Sequence, residues 1–362
     1  MTYKEHIDEL IAKISPTFVD FEKGREHRSA PTQVSSEFLT NKEQGDWAEK
    51  TLLEGINLNS NRYIAVKYVR DDDIIAGEEG FKEFYEEYQR ELDIVGKRPD
   101  ILIFDKNDFP FEEINISNWD IEKLDEIVPK AKCGIEVRSS AFLIDKYEEY
   151  MCSKNEQLVE EALEIRKQII ERYSDLLKSK DDALFEIINS LSIDNIHVLS
   201  FRKPTWRTSE QLVELSNLIK RLKDVIKEVS EKRTFLGITP KVEDLKVVYT
   251  WIQRYNVPHY YVQVFFDKAY GVPFSKILDF IGQPELEGKS YFIESDIKNQ
   301  NKTTIKIQAN KEVNVLNKVD LPNHFSEMKE LGRGRLLFFV KFKNSIASIN
   351  TVGFKELFGF DL

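Results

Sequence analysis

Two short apolar runs constrain this chain more than any other feature of its sequence. One is Arg98-Pro99-Asp100-Ile101-Leu102-Ile103-Phe104; the other is Lys132-Cys133-Gly134-Ile135-Glu136-Val137-Arg138-Ser139-Ser140. Both are rich in β-branched and aromatic residues and read as neighbouring strands, yet each is broken by an acid that must lie at a strand end or face a cation. Side chains alternate along a strand, so Glu136 and Arg138 share one face while Ile135 and Val137 point into the core. Asp100 opens its run directly after Pro99. If the two strands pair, two carboxylates and one cation converge, which is the arrangement that holds a divalent metal against a phosphate. The plainer alternative is an ion pair between Glu136 and Arg138, with Asp100 capping a turn.

The rest of the chain supplies a frame for such a pair. Apolar spacing through Ile7, Leu10, Ile11 and Ile14 predicts an N-terminal helix, followed by a short segment through Phe21. Residues 25–40 turn polar and read as a loop or irregular arm, with a small basic group at Arg25, His27 and Arg28. A helix follows from about Gly45, with Trp47, Leu52, Leu53 and Ile56 on its apolar face and Glu49 among its acids. Residues 62–69 read as a strand, and Asp71-Asp72-Asp73 as a solvated turn, since three consecutive acids fan out in different directions. A polar helix over 81–93 precedes the first apolar run, and an acidic stretch from 105 to 130, with a short helix near 119–127, separates it from the second.

Beyond the second run, residues 142–190 read as helical, with a stripe at Leu158, Ala162, Ile165, Ile169, Tyr173 and Leu176. A stricter stripe at Leu212, Leu215, Ile219, Leu222, Ile226 and Val229 predicts a helix over 209–231. Residues 195–201 between them read as a strand, with His197 a core histidine. They run into Arg202-Lys203-Pro204-Thr205-Trp206-Arg207, where three cations beside an aromatic and a hydroxyl suit nucleic-acid contact. A surface turn with Trp206 folded onto the core is the bland alternative. A helix over 243–255 leading into a strand over 259–267 suggests a crossover connection, 290–297 and 303–309 a hairpin, and 334–342 a further strand. The fold class is α+β: a central mixed sheet flanked by helices. Its expected layout is a helical arm over 1–44, a core over 45–285 with a helical insertion at about 142–231, and a β-rich region over 286–362.

With 362 residues, 41% of them hydrophobic, the chain can bury a large core. No stretch approaches the roughly 20 apolar residues of a membrane helix, and the first residues are charged and amphipathic, so a cytoplasmic protein with no membrane partner is expected. Cys133 and Cys152 lack metal-ligand spacing and read as reduced thiols. A net charge of −11 argues against a surface coated in nucleic acid but leaves room for a local basic cleft.

Other chemistries find little support. The sequence has no Gly-rich phosphate loop and no nucleophile-elbow serine, and its five histidines are scattered singly. Carboxylates remain: Asp100 and Glu136, with Glu49 as a possible third, offer hard oxygen ligands for Mg²⁺.

Pro99-Asp100 followed by Glu136-Val137-Arg138 resembles the PD-(D/E)xK pattern of many type II restriction endonucleases, and Gly45-Asp46-Trp47-Ala48-Glu49 resembles the acid-bearing helix of that superfamily. The longer runs Ser29–Gln33, Gly134–Ser140 and Pro258–Phe266 are similar to restriction endonucleases of the AccI type. That resemblance implies a restriction-endonuclease-like core and a Mg²⁺-dependent, site-specific deoxyribonuclease that restricts foreign DNA. It also implies a homodimer on double-stranded DNA, with the helical stripes as possible dimer surfaces. Asp100, Glu136 and Arg138 would be catalytic and Asp100, Glu136 and Glu49 metal ligands, with DNA contacts from Arg202, Lys203, Thr205, Arg207, Arg28 and Gln33. Two departures stand out: Arg138 takes the place usual for lysine, and residues 101–135 make a wide gap between the acids. Arginine stays protonated and cannot act as a base, which leaves the metal, the substrate phosphate or another residue such as Lys146 to activate water. The rivals are a non-catalytic DNA-binding protein on the same scaffold and a metal-dependent enzyme for small phosphoesters.

Overall fold

The computed structural model describes all residues except 26, 28, 71–73, 197, 232–234 and 297–301. Arg28, Asp71–Asp73 and His197 therefore lie outside the described residues. In chain order the elements are α1 (Tyr3–Ile11), α2 (Ser36–Asn59), β1 (Tyr63–Lys67), α3 (Phe81–Ile94), β2 (Ile101–Asp105), α4 (Ile121–Ile127), β3 (Cys133–Ser140), α5 (Ile144–Lys180), α6 (Asp182–Asn189), α7 (Glu210–Glu231), β4 (Gly237–Ile238) and α8 (Val242–Tyr255). They continue with β5 (His259–Phe265), β6 (Ala269–Pro273), α9 (Phe274–Ile281), β7 (Tyr291–Asp296), β8 (Lys302–Gln308), β9 (Val313–Val319), β10 (Asn323–Leu331), β11 (Arg335–Lys343), β12 (Ala347–Ile349) and α10 (Thr351–Phe358). Two compact units result, one of residues 1–144 with 237–362, the other of residues 145–236.

Among the described residues the first unit is built on a seven-stranded sheet in the order β1-β2-β3-β5-β6-β9-β12. The two acid-bearing runs are neighbours in it: Ile101 pairs with Ile135 and Leu102 with Gly134 in an antiparallel ladder. β3 and β5 run parallel, with Glu136 beside Tyr261 and Arg138 beside Gln263, so α8 serves as the expected crossover into β5. Alternation then separates two faces. Ile101, Ile103, Ile135, Val137, Val262 and Val264 bury against Trp47, Ala48, Leu52 and Ile56 of α2 and against Phe354 and Leu357 of α10. Glu136, Arg138, His259 and Tyr261 occupy the other face, toward α8. Two smaller sheets complete the unit, β4-β8-β7, which contains the expected hairpin, and β10-β11.

The second unit is helical. Its core joins Ala162, Ile165 and Ile169 of α5 to Leu215, Ile219, Leu222 and Ile226 of α7, with Leu158, Tyr173 and Leu176 packed at the margin. Both stripes are thus internal seams, and neither is a free face for a second copy.

Two expectations from sequence fail. The described part of residues 195–201 forms turns rather than a strand, with Ile196 and Phe201 buried among helices. Its backbone bonds are local, Ile196 N–H to Ser192 O and Leu199 N–H to Asn195 O, and among the described residues of this unit no strand lies beside it. Likewise α2 begins at Ser36, well before Gly45, capped by Ser35, whose hydroxyl accepts from Phe38 N–H. Gly45 faces open space within that helix, so it breaks nothing.

Gly96 sets how closely the chain ahead of β2 approaches α8. It has φ +86°, and a Cβ there would fall 2.3 Å from Trp251 N and 2.4 Å from Val247 O of α8. That close approach brings the 96–100 segment onto α8, where Lys97 N–H donates to Val247 O. Gly96→Ala is expected to destabilise the protein by ~3 kcal/mol or more, because both the left-handed backbone and the contact fail, as a urea melt would read. Wild-type stability in that variant would refute the tight approach.

Candidate active site

Asp100 stands one residue before Ile101, and Glu136 one residue after its partner Ile135, so the ladder sets the two acids side by side on the face toward α8. Both are buried. Asp100 Oδ2 accepts from Val137 N–H at 2.6 Å, which ties the first acid to the backbone of the second strand. Glu136 Oε1 lies 2.8 Å from Arg138 Nη2, the same-face pair expected from alternation. A second contact was not foreseen: Lys97 Nζ lies 2.5 Å from the same oxygen. Asp244, in the first turn of α8, closes the cluster with Oδ2 at 2.9 Å from Lys97 Nζ and 2.8 Å from Arg138 Nη2. Two cations and two carboxylates thus interlock, a high-stakes arrangement once removed from water.

Their charges are unequally settled. Burial works against ionisation of Glu136, but the Lys97 and Arg138 cations outweigh it and hold the carboxyl below its usual range. Asp244 behaves in the same way, its burial overcome by Lys97, Arg138 and Lys241. Asp100 is opposite: burial first, then the Glu136 charge, pushes it up to about 8. Half-buried Glu49 on α2 is raised as well, by burial, then by Asp100 and Asp46. So the three acids singled out from sequence share one electrostatic neighbourhood, in which burial and the neighbouring carboxylates raise Asp100 and Glu49 while the two cations lower Glu136. Behind them on β5, the side chains of His259 and Tyr261 are buried and make no hydrogen bond among the described residues; burial pushes the imidazole down to about 3, so it is neutral.

A divalent cation suits these donors. They are hard oxygens, Glu136 Oε2 is buried without a hydrogen-bond partner among the described residues, and the Asp100–Glu49 side carries acids that one cation would let ionise. Among the described residues no three His, Cys, Asp or Glu side chains form a ready-made cluster. Asp100, Glu136 and Glu49, expected together as ligands, therefore do not form such a group.

Lys97 and Arg138 line a cleft that also carries Lys23, Arg25, Lys241, Lys246 and Lys302, against the acids Asp20, Glu243 and Asp244. This is the local basic surface that the net charge of −11 had left open. Arg25 is anchored there by Asp93 and Gln89.

Gln33, Arg202, Lys203, Thr205, Arg207 and Lys146 are not among the residues that line this cleft. Gln33 is exposed, its amide oxygen accepting from Arg335 at 3.1 Å. Arg202, Lys203, Thr205 and Arg207 are exposed in a segment of the helical unit without regular secondary structure, with Trp206 folded against that unit's core. Lys146 lies on α5 of the same unit. Sequence reasoning missed Lys97 and Asp244. The only trace of the first was a lysine three residues ahead of Asp100, and of the second an acid at a helix start, where acids are commonplace.

The chain matches the protein-family model described as AccI restriction endonuclease over residues 1–361. No curated protein and no solved structure matches it.

Proposed function

Since the chain belongs to the AccI restriction endonuclease family, we propose that this nuclease cuts double-stranded DNA by Mg²⁺-dependent hydrolysis at the Asp100–Glu136 pair. The observation that carries the reading is the meeting of Glu136, beside Asp100 in the ladder, with Lys97 and Arg138, two cations that line a basic cleft. Asp100 and Glu136 would hold the metal, with Glu49 as an outer acid. When bound, Mg²⁺ supplies Lewis-acid polarisation of the phosphodiester and makes water more acidic. Lys97 and Arg138 neutralise charge that builds on the phosphate, and they draw it toward the carboxylates. The lysine that the PD-(D/E)xK pattern places at position 138 is thus supplied from position 97, ahead of the first acid. Neither cation is the base: arginine is always protonated, and the Asp244 and Glu136 carboxylates outweigh the burial of Lys97 and hold its ammonium in place. Arg202, Lys203, Thr205, Arg207 and Gln33 remain candidates for groove and backbone contact. Incubating plasmid with protein and Mg²⁺ tests the reading: discrete fragments are expected, while retardation without cutting would make this a binding protein.

Arg138→Lys is expected to keep partial activity, within about tenfold of wild type, whereas Arg138→Ala loses most of it, because an ammonium restores charge but not the planar fork. Single-turnover rates read both; equal rates for Lys and Ala would remove Arg138 from phosphate stabilisation.

A pH dependence arises from Asp100. Its carboxyl is protonated in the metal-free folded protein up to about pH 8 but ionised above about pH 4 when unfolded. Between those values the folded state binds the extra proton, so metal-free stability falls as pH rises, by up to ~1.4 kcal/mol per pH unit from this group. Added Mg²⁺ should reverse the trend, since it binds the ionised form and gains affinity as pH rises. Melting temperatures from pH 5 to 8 with and without Mg²⁺ check this; parallel curves would contradict it.

A two-fold duplex site is cut on both strands most simply by a symmetric pair of subunits, so a homodimer is proposed, using a face other than the two buried helical stripes. A monomer mass by light scattering on cognate DNA would overturn it.

A further inference from the structure

We propose that the Asp244 carboxylate occupies the position a backbone phosphate of DNA takes when substrate enters, so that binding exchanges one anion for another on Lys97 and Arg138. The inference rests on the reading of this cleft as the cleavage centre and names the group that substrate must displace.

Geometry is the first support. A single oxygen, Asp244 Oδ2, receives both Lys97 Nζ at 2.9 Å and Arg138 Nη2 at 2.8 Å. A phosphodiester oxygen makes the same charge-assisted contacts and carries the same single negative charge. Charge balance is the second. Lys97 and Arg138 are offset by Glu136 and Asp244, so the cluster holds no positive charge for an incoming phosphate while Asp244 stays in place. Neutralising Asp244 would leave one cation unpaired at the cleft.

Chain topology is the third support. Glu136 and Arg138 share β3, but Asp244 comes from the first turn of α8 and can be withdrawn without disturbing the strand pair. Its surroundings are dominated by cations. Lys241 stands just before it, its ammonium pushed down to about 8 by burial and then by the Arg138 charge, and Lys302 adds to the positive field there. Such a field attracts any anion that reaches the cleft, and of the acids lining it Asp244 is the one that contacts both Lys97 and Arg138. Asp244 lines the cleft, whereas Glu136 is buried.

The test measures binding of a short labelled duplex without divalent metal, by fluorescence anisotropy, for wild type and Asp244→Asn. The variant is expected to bind about tenfold more tightly, equivalent to ~1.4 kcal/mol, with the gain shrinking as salt is raised. Equal or weaker binding by the folded variant overturns the proposal, since a positioning carboxylate predicts a loss. Because removing the Asp244 charge leaves one positive charge of the cluster unbalanced, thermal melts in inorganic phosphate and in chloride at equal ionic strength accompany the assay. Phosphate should raise the melting temperature of Asp244→Asn selectively and leave wild type unmoved. A variant that stays unfolded in both buffers also overturns the proposal, because an external anion then cannot take the place of Asp244. Plasmid cutting by Glu136→Gln is run alongside. If that variant is inactive and Asp244→Asn binds no tighter, only this inference falls; if Glu136→Gln cuts like wild type, the reading of the cleavage centre falls instead.

Discussion

Asp100→Asn is expected to lower strand cleavage by at least about a hundredfold while duplex affinity stays within a few-fold of wild type. The substitution keeps shape and keeps an oxygen able to accept from Val137 N–H, so the tie between β2 and β3 survives. What it removes is the charge that a cation needs. Affinity for duplex DNA comes mostly from phosphate and base contacts elsewhere, and a neutral group beside the phosphate does not weaken it. Stability should hold or rise at neutral pH, because the metal-free carboxyl already favours its neutral form. Cleavage rate, gel-shift affinity and melting temperature on one preparation read all three. A folded Asp100→Asn protein cutting at the wild-type rate would exclude Asp100 as a metal ligand.

Lys97→Met should be as damaging to cleavage and worse for the fold. Losing one preorganised cation at a phosphate-binding centre costs about 10²–10³ in rate. Loss of the ammonium also strands part of the charge on Glu136 Oε1 and Asp244 Oδ2, both of which it touches, and breaking a buried pair in this way costs about 3 kcal/mol. Lys97→Arg should recover stability before it recovers rate, since the longer planar group keeps the charge but not the position. Rates at saturating DNA separate these effects. If Lys97→Met folds and cuts within a few-fold of wild type, Lys97 is structural and the lysine of this centre lies elsewhere.

Much of the frame was legible because period and chemistry agree locally. Alternation in the two acid-bearing runs fixed which side chains face the core and which face the cleft, and the ladder sets Asp100 beside Glu136 as that alternation requires. The stripes on α5 and α7 were legible for the same reason and pack on each other. What escaped depends on long-range contacts. Lys97 belongs to an irregular segment, and it reaches Glu136 because Gly96 takes a left-handed turn against α8, where Lys97 N–H meets Val247 O from a distant part of the sequence. Asp244 looked like an ordinary acid at a helix start, since nothing local says that two cations from other elements converge on it. The β propensity of the described part of residues 195–201 was overridden because Ile196, Leu199 and Phe201 pack among helices, where no described strand offers an edge. Propensity sets local preference; partners decide the outcome.

The cleavage centre is tested most directly by sequencing the ends of plasmid incubated with Mg²⁺ and either wild type or Glu136→Gln, with melting temperature confirming that both are folded. Wild type is expected to leave discrete fragments whose ends share one short sequence, and Glu136→Gln to retard the plasmid while leaving it uncut. A folded Glu136→Gln protein that cuts at the wild-type rate, or wild-type ends without any shared sequence, would contradict it.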